Sequence, residues 1–405
     1  MDLANIPFFD NHTHVLDYNA TNIDPDACIG LFLHGLREHI DKTKPFPCMI
    51  EASPVLKQHI RSLGSVRSLV HHMSKYFRCK PELEDVFAHR AKAAANGIDS
   101  YAQDLYKDAN IGWCMLDSEL PLGDSAARFP CEVLRLFQMD APFDKALAQC
   151  ESYAQFLASF LGVVGNAVKE GYAGIKCHVG ERFTLAVRKV GREEAEKVFA
   201  VAKSGDKAGI ETVYFAALAE MFLLAEKLDV SVHIHTGSSG DPADGDFAKL
   251  DPLLMAPFLY GFLKTKIVFL HGSYPNTKNA ALMAHAFPNV YVDYSWTLPW
   301  TVCGFDATLK DAIELAPHSK IMLGTGQHGV PEIAWLAAKI ARSCLSAVLE
   351  NIVKMDIMSE AQARDTAEML LCKNAQALYK LADKKVALGS SPKRKSGQKK
   401  PTEDS

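Results

Sequence analysis

Short apolar runs alternate with longer amphipathic stretches along most of this chain, and their spacing sets the expected elements. The run Ile6 to Phe9 leads into Asp10-Asn11-His12-Thr13-His14, so the first strand is expected over Pro7 to His14. Further strand-length runs fall at Ile111 to Leu116, Glu132 to Phe137, Ala173 to Cys177, Val230 to His235, Ile267 to His271, Val290 to Tyr294 and Lys320 to Gly324. Helical lengths separate the later ones: Phe143 to Glu170, Glu193 to Lys203, Gly209 to Lys227, Pro252 to Leu263, Asn276 to Ala286, Ala307 to Leu315 and Pro331 to Lys354. Eight strands with helical crossovers predict an α/β fold, a closed parallel (β/α)8 TIM barrel, with an open doubly wound sheet as the alternative.

Two segments depart from this rhythm. Residues 24 to 108 are polar and helical, with helices expected in Leu31 to Ile40, Pro54 to Lys75 and Pro81 to Tyr106. They form an insertion after the first strand, where a barrel presents its substrate pocket. The six histidines within it (His34, His39, His59, His71, His72 and His89) show no paired-ligand pattern and read as surface or packing residues. Met358 to Lys380 is expected as helix packed under the barrel. The barrel domain is then taken as residues 1–388, and 389–405, rich in Ser, Pro, Gly and Lys, as a disordered basic tail.

Composition narrows the class. Of 405 residues, 48% are hydrophobic and 23% charged, as in an ordinary globular domain. The net charge is -4, and Ser391 to Ser405 contributes five basic and two acidic residues, which leaves about -7 on the body and no nucleic-acid surface. No basic and apolar leader opens the chain, and the apolar run Tyr153 to Val168 is broken by Gln155, Ser159 and Asn166, so neither secretion nor a membrane span is expected. Ten cysteines without a C-x-x-C spacing read as reduced, mostly buried thiols, which fits the cytoplasm. Lys393-Arg394-Lys395 with Lys399-Lys400 has the composition of a nuclear-import signal, but a solvated basic tail is the favoured reading.

The candidate chemistry lies at the expected C-terminal ends of the strands, where barrels carry their active sites. His12 and His14, two apart on an extended strand, share a face and can grip one ion. His235, at the end of its strand before Thr236-Gly237, supplies a third imidazole, and three neutral nitrogens leave room for a water of lowered pKa. His233 shares that face one layer deeper, as a supporting or core residue. Lys176 points into the mouth, where burial demands a partner, a depressed pKa or carboxylation to a bridging ligand. His271 is a candidate general acid or base.

These residues resemble the amidohydrolase superfamily, and more narrowly the amidohydrolase-related (amidohydrolase 2) group that includes the N-terminal domain of FluG-type proteins. The likeness rests on Gly174-Ile175-Lys176 with Arg182, His235-Thr236-Gly237 with Gly240-Asp241 and Asp251-Pro252-Leu253, Leu270-His271 with Tyr274-Pro275, and Pro288 to Asp293. It continues through Ala316-Pro317, Ser319-Lys320, Pro331-Glu332, Asn374-Ala375 and Leu378-Tyr379. The resemblance implies a metal-dependent hydrolase barrel, with decarboxylases and isomerases among its relatives. It implies one divalent ion, zinc first and manganese or iron as alternatives, on His12, His14 and His235, and a substrate carboxylate clasped by Arg182 and Arg135. One position departs: the group's strand-eight aspartate is Gly326, within Gly324-Thr325-Gly326-Gln327-His328. His328 is the neighbour able to act as base, with Asp293 a weaker substitute, and an unreplaced base costs about a hundred to ten-thousandfold in rate.

Three functions follow as expectations. The first is a metal-dependent hydrolase of a small carboxylated molecule, the second a decarboxylase or isomerase on the same barrel, and the third a barrel without turnover that binds or regulates. A small-molecule substrate is the expected partner, with self-association open and no membrane or nucleic acid involved.

Overall fold

In the computed structural model, which describes residues 1–32, 37–40, 50–52, 58–118, 128–238 and 247–381, the first strands are β1 (Phe8–His14), β2 (Arg37–Ile40), β3 (Ile50–Ala52), β4 (Ile111–Asp117) and β5 (Glu132–Gln138). Next come β6 (Gly174–Cys177), β7 (Ser231–His235), β8 (Ile267–Leu270), β9 (Val290–Asp293), β10 (Ser295–Trp296) and β11 (Ile321–Met322). Eight of them pair in parallel in the order β1-β4-β5-β6-β7-β8-β9-β11. β11 is only two residues long, yet the chain beyond it closes the ring. Asn11 N donates to Leu323 O (3.1 Å), Gly326 N to His12 O (2.8 Å) and His14 N to Gln327 O (2.7 Å). The Asp10 carboxylate seals the same seam by accepting from Thr325 N and Oγ1 (2.7 and 2.6 Å).

Near-continuous apolar strands such as Ile267–Leu270 are buried because both faces are covered. Inside the ring, Phe9, Trp113, Met115, Leu136, Val268, Leu270 and Met322 fill the lower barrel. The C-terminal helical segment closes it from below with Cys372, Ala375 and Leu378, as expected. Tyr379 reaches upward, and its hydroxyl donates to Asn11 Oδ1 (2.6 Å) under the His233 ring, 6.0 Å away. His233 is thus a packed residue of the deeper layer, its Nε2 2.9 Å from Ser231 Oγ.

Outside lie the helices Arg192–Lys203, Lys207–Leu228, Thr277–Ala286, Phe305–Leu315 and Pro331–Lys354. Lys207–Leu228 is the one described helix long and apolar enough to cross a membrane, and it packs as a core helix through Val213, Tyr214, Leu218 and Phe222. The stretch Phe143 to Glu170 is two helices, Asp140–Gln149 and Tyr153–Lys169, because Ser152 starts the second by accepting from Gln155 N.

The insertion is helical at Gly64–Phe77, Leu83–Ala93 and Ile98–Asp108. The expected helix over Leu31 to Ile40 is corrected: helix occupies Pro25–Gly30, and Arg37–Ile40 pairs antiparallel with Ile50–Ala52. Gly35 in mid-run weakens the helical option, and strand pairing overrides what propensity remains. His34, residues 54–57 of the second expected helix and the 389–405 tail lie outside the described residues. A buried ion pair anchors the insertion: Arg90 Nε donates to Glu332 Oε1 (2.6 Å), Tyr101 donates to the same oxygen (3.0 Å), and both charged side chains are 2% exposed.

Candidate metal centre and active site

Four imidazoles line the barrel mouth in a continuous chain. Ring centroids are 4.9 Å apart for His12 and His14, 5.1 Å for His12 and His271, and 4.4 Å for His271 and His235. β1 delivers the first two, with a register slip against β4 between Asp10 and Thr13. His271 stands one residue past β8 in a left-handed conformation (φ 68°), which a non-glycine residue adopts only where its surroundings hold it. Burial holds all four rings neutral. It pushes His14 down to about 4 and the other three well below the ordinary histidine value, and the Lys176 cation acts in the same direction.

Asp117, at the end of β4, completes the inner group. Its carboxylate and the ring nitrogens of His12 and His14 place ligand atoms within 4.8 Å of one another. Asp117 Oδ2 lies 3.8 Å from His12 Nε2 and 3.6 Å from Lys176 Nζ, while Gln138 Nε2 donates to Oδ1 (2.6 Å). Burial works against its charge, but the Lys176 cation, with the hydrogen bond from Gln138, outweighs it and holds the carboxyl below its usual range. Lys176 therefore has the partner that its burial demands. Neither nitrogen of His12 nor Oδ2 of Asp117 has a hydrogen bond, although both side chains are fully buried. Unsatisfied buried acceptors beside one another are costly unless a cation joins them, so the residues present fit a divalent ion.

Behind His271 runs a relay. Ser295 Oγ donates to Asp293 Oδ1 and lies 3.0 Å from His271 Nδ1. Since the serine proton goes to the aspartate, His271 Nδ1–H donates to Ser295, and Nε2 keeps its lone pair. On the other flank, His235 Nε2 faces Ser238 O (3.2 Å) and Nδ1 faces Glu181 Oε2 (3.6 Å). Glu181 also lies 3.8 Å from His178 Nε2, whose Nδ1 is 2.9 Å from Asp140 Oδ2.

The sequence candidates therefore divide. His12, His14, His271, His235 and Lys176 converge, with His235 one ring away from the tight group of His12, His14 and Asp117. His328 is buried at the rim, with Nδ1 3.0 Å from Gly326 O and its ring stacked on Trp300 at 5.9 Å. Trp296 touches both His328 (6.3 Å) and His271 (4.9 Å). Gln327 is structural: Oε1 accepts from Tyr106 and Thr13, and Nε2 donates to the His14 carbonyl. Neither arginine reaches the mouth unengaged. Arg182 forms a two-point pair with Asp144 (2.9 and 2.6 Å) and faces Asp140. Arg135 alternates with the inward Leu134 and Leu136, so it points outward, donating to Glu170 O over the Tyr172 ring. Sequence reasoning missed Asp117, Ser295, Glu181 and the His178–Asp140 pair. Asp117 alone carried a signal, a carboxylate directly after a strand.

Trp296 explains the glycine at position 326. A Cβ on Gly326 would stand 2.4 Å from Trp296 Cδ1 and 2.9 Å from its backbone N, and φ there is +61°. Both residues adopt left-handed backbone, Trp296 at φ 65°. Gly326→Asp alone is therefore expected to cost at least about 1–3 kcal/mol without delivering a carboxylate to the mouth. Paired with Trp296→Ala, the two changes should cost less than their sum, because the indole clash is relieved while the backbone contact and the positive φ remain. Urea denaturation of the single and double variants measures it, and a single variant as stable as the parent would contradict the packing.

A family model described as Amidohydrolase matches residues 133–381. FluG of Emericella nidulans is 28% identical over 151 residues, 37% of this chain, and the chain spans 17% of that protein's length. A Lactobacillus casei structure assigned as a metal-dependent hydrolase superposes with TM-score 0.77 at 21% identity, covering 93% of this chain and 96% of the other. Glucuronate isomerase from Caulobacter crescentus gives 0.67 at 17%, covering 96% and 94%. Uronate isomerase from Thermotoga maritima gives 0.65 at 15%, covering 93% and 95%. At these identities the structural matches speak for the barrel fold alone.

Proposed function

The chain belongs to the amidohydrolase family, whose members are generally metal-dependent enzymes, and from that premise we propose that it is a metal-dependent hydrolase of a small polar substrate. The observation that carries the reading is the pair of unsatisfied His12 nitrogens beside the unsatisfied Asp117 oxygen. His12, His14 and Asp117 would hold the ion, with His235 next to them, and this nitrogen-rich set suits zinc. A bound ion would supply Lewis acidity and an acidified water.

The chain's own groups supply the remainder. His271 Nε2 is the acceptor for a proton, with Ser295 and Asp293 fixing its tautomer. The Lys176 ammonium, buried against Asp117, offsets negative charge developing on the substrate. Trp296 and Trp300 wall off the side where a strand-eight carboxylate would stand. The anticipated arginine clasp for a substrate carboxylate has no support among the described residues, since Arg182 is closed on Asp144 and Arg135 faces outward.

The same Trp296 packing favours a second reading, decarboxylation or isomerisation, because those reactions depend less on a strong base for water. A panel assay of the metal-loaded protein separates them: amine or ammonia release from amides supports hydrolysis, and carbon dioxide release or carbonyl migration in acid substrates supports the second reading. A metal-loaded protein that turns over nothing in either panel sinks both.

A further inference from the structure

We propose that Cys79, Asp85 and His89 form a second divalent-metal site, remote from the barrel mouth and selective for a thiophilic ion such as zinc or cadmium. The three residues offer a sulfur, an oxygen and a nitrogen whose ligand atoms all lie within 4.8 Å of one another, and all three side chains are half-buried. Two helices bring them together. Asp85 and His89 are four apart on Leu83–Ala93 and so share one face. Cys79 follows the helix Gly64–Phe77, whose end is turned by left-handed Arg78 (φ 55°), and Cys79 N donates to Ser74 O (3.0 Å).

Each donor is held from its far side, as metal ligands are. His89 Nδ1 lies 2.9 Å from the Asp85 carbonyl, so Nδ1–H donates there and Nε2 carries the lone pair. The ring also stacks on Phe77, with centroids 6.2 Å apart. Asp85 Oδ2 accepts from Lys80 N (2.7 Å), which anchors the carboxylate. The thiol hydrogen-bonds to the Asp85 carboxylate and lies 3.6 Å from Lys80 O. Thiolate, imidazole and carboxylate with one water make a four-coordinate zinc set, and the sulfur distinguishes it from the nitrogen and oxygen donors of the barrel. On binding, the Cys79 S–H bond breaks, its proton leaves to solvent and an Sγ–metal bond forms. The ion would then staple the end of one insertion helix to the start of the next, one residue before the Arg90 anchor.

The test is cobalt(II) titration of the full-length, chelator-stripped protein. The expected result is a near-ultraviolet thiolate-to-cobalt charge-transfer band that forms in the parent, saturates at one equivalent in the His12→Ala/His14→Ala variant, and is lost in Cys79→Ser, which removes the sulfur. His89→Gln provides the same reading if the serine variant fails to fold. Absence of the band in the parent, or its survival in both Cys79→Ser and His89→Gln, overturns the proposal. These outcomes are independent of whether the barrel site binds metal.

Discussion

Protein carrying His12→Ala together with His14→Ala is expected to lose its barrel-site metal. Its apparent affinity should fall by more than the roughly 10–100-fold that follows loss of a supporting partner. The reason is local. His12 is fully buried and its ring nitrogens have no other bond, so removing it deletes a donor that nothing nearby replaces. His14 lies 4.9 Å from it ring to ring, and Asp117 alone among the tight group would remain. Metal analysis of the purified parent and variant, read together with the cobalt titration, gives the answer. A parent without stoichiometric metal at this site after loading, or a variant that binds as tightly, removes the basis of the enzymatic reading.

The largest expected effect on stability lies 242 residues apart in sequence, between Arg90 and Glu332. Glu332→Gln leaves the Arg90 guanidinium, 2% exposed, without a counter-charge. Breaking a buried pair by removing one partner costs about 3–5 kcal/mol, whereas replacing both by apolar groups is often neutral. Urea unfolding should therefore show a large loss for Glu332→Gln and substantial recovery for Arg90→Met with Glu332→Leu. A loss below about 1 kcal/mol, the worth of an exposed pair, would mean that water reaches the guanidinium. Because Tyr101 donates to the same carboxylate, the insertion should loosen first, visible as faster amide exchange in Leu83–Ala93 and Ile98–Asp108.

The barrel was legible because most of its strands are buried on both faces, so the strands from Ala173 onward read as apolar runs with helices between them. The strand-end imidazoles followed from strand periodicity alone. What stayed hidden depends on side-chain reach across elements. Arg182 reads as a substrate clasp until Asp144, 38 residues earlier, is seen to face it. Arg135 was a clasp residue by the resemblance alone, and its strand neighbours Leu134 and Leu136 face the interior and leave it pointing outward. The β2–β3 hairpin was missed because its pairing is tertiary and its residues have no strong strand pattern.

The indole of Trp296 and a side chain at position 326 exclude one another, which makes the two positions a single heritable character. A side chain placed at 326 has to displace the ring, and a displaced ring no longer covers His271 and His235.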